Sequence, residues 1–237
     1  MNKVKKQHYV ARGYLKNFAV SGQINTHDKT SGAAFKTNIM NTAHENFFYE
    51  LPVEDGLDLP AEAIGVVEDY LQQVDDQSAI VIDRLLSNLE SSRVLSPLGV
   101  PSYRLSYDEM YYLSQYIVFQ NIRTKEHREK LAQLDHSTRQ SVLQKIADMK
   151  FPDEDLKVEV FPDISRETAL HIQQIIDEKH TDGLIRICMA KAWFIGYNST
   201  NETLWTSDNP LIMRSHDSGI MRGVGWGAFK VEIAKFH

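Results

Sequence analysis

The sequence predicts an α+β fold: long α-helices packed with a C-terminal antiparallel β-sheet and an N-terminal extended arm. Three observations point there. Apolar residues recur at spacings of three and four between Ala61 and Ser91, Ser106-Tyr107-Asp108-Glu109 has the form of a helix start, and beyond Leu184 aromatic and branched residues cluster between turn formers.

Along the chain, Val10 to Tyr49 reads as short extended pieces. Ser21-Gly22 and Ser31-Gly32 are turn signals that set off Gln23-Ile24 and Ala33-Ala34-Phe35, a pattern that predicts a hairpin or meander. Pro52 and Pro60 frame an acidic loop. In the first helix Ile64, Val67, Leu71, Val74, Ser78, Val81, Leu85 and Leu89 form one stripe, and residues 96–101 break it. The second helix begins near Tyr107, with Met110, Leu113, Ile117 and Leu131 on its inner face, and is expected to run to Asp135 or, with a kink, to Met149. A third helix starts after the N-cap candidate Ser165, is marked by Ala169, Ile172, Ile175 and Ile176, and is expected to stop at Asp182-Gly183. Leu184 to Ala192 fits strand or helix. Trp193 to Tyr197, Thr203 to Thr206 and Leu211 to Met213 read as antiparallel strands. The terminal Val231 to His237 reads as a strand just begun, as in a truncated chain or a naturally short one. One domain is expected over 1–237, with arm and meander in 1–60, helices in 61–182 and sheet in 184–237.

With 237 residues, 26 basic against 32 acidic and a net charge of −6, the molecule as a whole lacks the footprint of a duplex nucleic-acid binder. The charge is uneven. Lys3, Lys5, Lys6, Arg12, Lys16 and Lys29 crowd the start, whereas no Lys or Arg lies between Lys36 and Arg84, where Glu68, Asp75, Asp76 and Asp83 fall. A basic arm with Tyr9, Tyr14 and Phe18 either stacks on bases or docks on the chain's own acidic segment, and the aromatics with Leu15 favour docking. The single Cys188 excludes an internal disulfide and a multi-cysteine zinc site. No apolar run follows the N-terminal lysines and none reaches membrane-spanning length, so the cytoplasm is the expected compartment and no membrane partner is expected.

Three polar clusters sit in apolar surroundings: Gln7-His8-Tyr9-Val10, Gln120-Asn121-Ile122-Arg123-Thr124 and Thr206-Ser207-Asp208-Asn209-Pro210. Gln120 and Arg123 share a helix face, and a glutamine within an apolar stripe demands partners, since an unpaired buried amide costs roughly 1 to 3 kcal/mol. Arg123 offers the paired donors that suit a carboxylate or phosphate. Asp208 is a candidate general base, histidine orienter or metal ligand, or else part of a turn shaped by Asn209 before proline. His8 is a candidate for proton transfer or metal binding.

These clusters, with Tyr14-Leu15-Lys16-Asn17-Phe18 and Glu45-Asn46-Phe47-Phe48-Tyr49, resemble a bacterial family classed as domain of unknown function 4238. Ala11 stands where that family usually has proline. The resemblance implies a cytoplasmic bacterial protein with no assigned activity, and gives weight to the Ser-Asp-Asn-Pro segment and to Glu68 in the first helix.

Two functions follow as expectations. One is a hydrolase, phosphodiesterase-like or nuclease-like, with His8 and Asp208 catalytic and Gln120, Arg123, Thr124, Ser207 and Asn209 binding substrate. A divalent metal is admitted as its cofactor; the sequence names no metal, and a nucleic-acid partner is not supported by the net charge. The other is a non-catalytic binding or interaction module in which the same residues form a structural polar lock. Ser207-Asp208-Asn209 has no accompanying Ser-x-x-Lys or Lys-Thr-Gly, residues 223–227 lack the spacing of a dinucleotide loop, and His44-Glu45 lacks a second zincin histidine.

Overall fold

Helix α2, Val66–Leu95, buries Val67, Leu71, Val74, Ser78, Val81 and Leu85, the stripe its periodicity predicts. It packs along helix α3, Tyr107–Ile122, in a computed structural model that describes residues 5–51, 65–95, 104–196, 198, 200, 202–214 and 228–231. Helix α3 opens on the expected capping box: the Ser106 hydroxyl accepts from the Glu109 amide at 3.2 Å, and the Glu109 carboxylate accepts from the Ser106 amide at 2.8 Å. Residues 52–64, 96–103, 215–227 and 232–237, with Tyr197, lie outside the described residues, and with them the expectations for Pro52, Pro60, Ile64, the 96–101 break and the 223–227 glycines.

The predicted second helix is two. Helix α3 ends at Ile122, Arg123 keeps helical dihedrals, Thr124 turns extended, and helix α4 runs Lys125–Lys150. The Thr124 hydroxyl caps α4 by accepting from the His127 amide at 3.3 Å. Helix α5, Ile164–Ile176, is capped by Asp163 rather than Ser165. The stop falls at Asp177, the N-cap of helix α6, Glu178–Met189, so Gly183 lies inside a helix. A helical glycine costs about 1 kcal/mol, and the burial of neighbouring Leu184, Ile185 and Cys188 offsets it.

The C-terminal sheet is corrected. Most described strands lie at the N-terminus: β1 (Lys6–His8) pairs antiparallel with β4 (His44–Asn46), and β2 (Gln23–His27) with β3 (Ala34–Asn38). Both turn signals are used, with Gly22 and Gly32 at positive φ. Helix α1, Arg12–Leu15, and a 3-10 turn, Lys16–Phe18, follow β1. At the other end, among the described residues, only β5 (Leu211–Arg214) and β6 (Ala228–Val231) pair. Residues 193–196 and 202–206 form no strand. Trp193 and Leu204 instead pack irregularly on the helical cores, while Phe194 and Trp205 stay exposed. Strand propensity measures fit to a pleated surface, and no partner strand supplies one among the described residues.

Helix α3 lies between two cores. Its Ile117, Val118, Phe119 and Ile122 join Phe48, Tyr49, Leu71 and Ile175, while Leu113 and Tyr116 join Val10, Tyr14, Leu15, Phe18 and Val81. The aromatic N-terminal segment is therefore docked on the helices, and Lys16 pairs with Asp83 of the acidic helix at 2.8 Å. No described helix is long and apolar enough to cross a membrane.

On α4 two glutamines one turn apart stand in for a strand. The Val158 amide donates to Gln144 Oε1 at 2.9 Å and the Val160 amide to Gln140 Oε1 at 3.0 Å, while the Gln140 amide group donates back to the Val158 carbonyl. Gln140→Ala is expected to cost about 0.5 to 1.5 kcal/mol, with faster hydrogen exchange at the Val160 amide and unchanged helix content by circular dichroism. Unaltered exchange there would refute the ladder.

Candidate functional site

The break after α3 aims the Arg123 side chain at α2 and the N-terminal segment. Its guanidinium is buried. Nη1 donates to both oxygens of Asp75 at 2.9 and 3.0 Å, while Nη2 and Nε donate to Gln120 Oε1 at 2.9 and 3.2 Å. The same Gln120 oxygen accepts from the Ala11 amide at 3.3 Å, and Gln120 Nε2 donates to the Tyr9 carbonyl at 2.9 Å. The Tyr49 hydroxyl is shared between the His8 and Arg123 carbonyls, each at 3.3 Å. Gln7 completes the attachment by accepting from the Tyr49 amide at 2.7 Å. The strand β1 and the residues after it are thus fastened by side chains of α3 and of the segment after β4.

Beside this knot lies a cavity of about 170 Å³. His8, Arg12 and Gly13 line one side, and Glu68, Leu71, Gln72, Asp75, Asp76 and Ala79 line the α2 side, with Arg123 between. The α2 residues follow helical spacing, so the polar edge of one stripe supplies three carboxyl groups. Gly13 permits the approach of α1, since a Cβ there would meet Ala79 Cβ at 3.3 Å.

Burial dominates the acid-base character of these groups. It raises the Glu68 carboxyl from 4.5 to about 7, with the Arg123 and Arg12 charges pulling down and Asp75 pushing up. It lowers the His8 imidazole from 6.5 to about 4, helped by the positive charges of Arg12 and Arg123 and by His44, whose ring centroid is 5.4 Å away. Burial also raises Asp75, against the opposing charge and hydrogen bond of Arg123. His8 Nε2 is buried without a hydrogen-bond partner.

Of the residues singled out in the sequence, His8 and Arg123 meet at this cavity, and Gln120 stands behind Arg123. Thr124 is buried as a helix cap. The Thr206-to-Pro210 segment is elsewhere: Asp208 is exposed and absent from the cavity lining, and the Ser207 hydroxyl bonds within the turn, accepting from the Asn209 amide at 3.1 Å and donating to its carbonyl at 2.7 Å. The Asn209 side-chain amide donates to Glu126. Arg12, Gln72 and Asp75 were not singled out as site residues. Their available signal is the polar row Glu68, Gln72, Asp75, Asp76 beside the apolar stripe of α2. Among the described residues no three His, Cys, Asp or Glu are grouped to hold a metal ion.

A family model described as protein of unknown function, DUF4238, matches residues 6–234, which include both the docked N-terminal segment and the Ser-Asp-Asn-Pro turn. The chain belongs to the DUF4238 family. No curated protein and no solved structure matches it. The cavity of this DUF4238 member must therefore be read from its own chemistry.

Arg123→Ala leaves the Asp75 carboxylate buried and unpaired and is expected to destabilise by about 3 to 5 kcal/mol in denaturant melts. An Arg123→Met, Asp75→Leu double variant, which removes both charges, is expected to recover most of that loss; equal damage in both would show that the ion pair is not what matters. The unfolded chain protonates His8 near 6.5 and the folded chain only near 4, so this group contributes stability that is lost as pH falls from about 6.5 to 4. His8→Gln is expected to flatten the melting temperature against pH across that window relative to the unaltered chain.

Proposed function

We propose that this chain is a small-molecule hydrolase in which Glu68 moves the proton, His8 orients the attacking water and Arg12 orients the substrate. The observation that carries the reading is one cavity holding both a carboxyl brought to about 7 and a buried imidazole nitrogen without a partner. A carboxyl half ionised near neutral pH accepts a proton from water as readily as it returns one. Ionised Glu68 takes that proton as the water oxygen bonds to the electrophilic centre, and delivers it to the leaving group as the old bond breaks. Neutral His8 accepts a hydrogen bond from the water through Nε2. Asp208, exposed and outside the cavity, has no part in this step.

A cavity near 170 Å³ supports a compact reacting group. A space of about 150 Å³ encloses a benzene-sized molecule. A nucleotide is larger than that, so a phosphodiester substrate would react only at the mouth.

A second reading is a non-catalytic binding or interaction module with a structural polar lock. It is favoured by Arg123 and Gln120, whose hydrogen bonds are made to Asp75, to each other and to the backbone of Tyr9 and Ala11. In the hydrolase reading these residues hold the cavity wall and touch no substrate.

A panel of chromogenic esters, anilides and phosphodiesters tests the proposal. Turnover is expected with a pH limb near 7, and Glu68→Gln is expected to lower it by at least about 100-fold, the usual scale for a lost acid-base group. The unfolded chain loses the Glu68 proton near 4.5 and the folded chain near 7, so its ionisation destabilises increasingly as pH rises through that range. Glu68→Gln should therefore melt progressively higher than the unaltered chain from pH 4.5 to 7. No turnover on any substrate, with that stability gain present, would leave the lock as the function of these residues.

A further inference from the structure

The cavity holds opposite charges that the fold keeps apart. Glu68 and Arg12 both line it, yet no ion pair joins them. Asp75 is committed to Arg123. Among the described residues Glu68 has neither an ionic partner nor a hydrogen bond. Among the described residues Arg12 donates only to neutral atoms, Gln72 Oε1 at 3.3 Å and Met40 Sδ at 3.2 Å. Gln72 in turn donates to Asp76 at 2.7 Å, so an amide stands where Arg12 and Asp76 would otherwise meet. The third open group is His8, more than nine-tenths buried, whose Nε2 lacks a partner.

Burial strips water from Glu68 without giving its carboxyl an opposite charge, while Arg12, part-buried on the same cavity, commits its guanidinium to a neutral amide and a thioether. A ligand that supplies both missing charges satisfies both groups together. An anion alone would satisfy Arg12 while facing Glu68 and Asp76, and a cation alone would satisfy Glu68 while facing Arg12. The volume limits the ligand to roughly six to ten heavy atoms, judged by the benzene-sized molecule that about 150 Å³ encloses.

We propose that the cavity binds a small zwitterion of α-amino-acid size, its carboxylate on Arg12 and its ammonium group between Glu68 and His8 Nε2. A guanidinium offers a carboxylate two parallel donors, and an ammonium group donates to a carboxylate and to a neutral imidazole nitrogen alike. The proposal goes beyond the hydrolytic reading: with its ammonium on Glu68 and His8 Nε2 the zwitterion takes the place of the attacking water, so it is a ligand that occupies the cavity and not the compound turned over there. The ligand class it names is a compound that presents a free amino group and a free carboxylate on a small carbon frame.

Isothermal titration calorimetry on the full chain at pH 7.5 with glycine, L-alanine and L-serine, each against methylammonium and acetate, tests it. At least one zwitterion is expected to bind, with either half alone at least about tenfold weaker, the weakening that loss of one charged contact near 1.4 kcal/mol produces. Arg12→Gln and Glu68→Gln, each checked for an intact melt, are expected to weaken the zwitterion by a similar factor, and Arg12→Gln to abolish residual acetate binding. Acetate binding as tightly as the amino acids would overturn the zwitterion and make this an anion site, and methylammonium doing so would make it a cation site. Saturable binding by none of the probes, with hydrolysis of the chromogenic panel intact, would overturn the zwitterion site and leave the hydrolase. Amino-acid binding without any hydrolysis would support the zwitterion and remove the catalytic step.

Discussion

Burial of the Arg123 guanidinium is the constraint from which the rest follows. A buried cation is tolerable only when paired and hydrogen-bonded, and here the pairing draws in α2 through Asp75 and the neighbouring turn of α3 through Gln120. Gln120 also uses the same amide to hold Tyr9 and Ala11. Satisfying one charge thereby fixes three pieces of chain, and the placement of β1 and α1 is a consequence of it. The break between α3 and α4 belongs to the same arrangement, because a helix continued through Thr124 would lose the α4 cap that marks the turn beside Arg123.

The division of labour in the cavity also descends from that ion pair. Asp75 and Glu68 lie two turns apart on one face of α2, and only Asp75 receives the guanidinium. Glu68 is left with burial as its main influence, which lifts it to about 7, while Asp75 is drawn back toward ionisation by its partner. Two like groups on one helix thus acquire unlike roles from a single neighbour. His8 is fixed through its backbone by Tyr49, and burial, helped by the nearby Arg12 and Arg123 charges, keeps its ring neutral. A neutral imidazole and a carboxyl near neutrality are the pair on which the proposed hydrolysis rests.

Local features were legible in the sequence where the physics is local. The α2 stripe and the Ser106 capping box depend on spacing within one helix, and the demand of Gln120 for partners follows from one amide among apolar residues. The identity of those partners was not legible. Nothing in Asp75 distinguishes it from Asp76 until α3 packs alongside, and Arg12 gains meaning only when Gly13 brings α1 against Ala79. Gly183 reads as a stop in isolation, yet tertiary burial of its neighbours overrides a penalty of about 1 kcal/mol. The aromatic run from Trp193 to Trp205 reads as strand, but strand formation requires a partner at the right distance, and Trp193 instead turns its indole N–H to the Cys188 carbonyl at 3.2 Å.

The Thr206-to-Pro210 segment shows how a distinctive motif can serve the fold. Thr206 meets the Tyr14 hydroxyl at 2.8 Å, Asn209 reaches Glu126, and Leu211 enters the core beyond buried Pro210. These three anchors account for a threonine, an asparagine and a leucine at fixed offsets, because each spacing sets which side chain faces inward along a bent extended chain. Asp208, at the crest, is exposed, and its charge is felt by Tyr9, whose hydroxyl is raised first by burial and then by Asp208. Neither His8, Glu68 nor Asp75 has Asp208 among the charges that shift it. The segment thus braces the docked N-terminus from outside while Gln120 holds it from within, and the cavity groups owe their geometry to both.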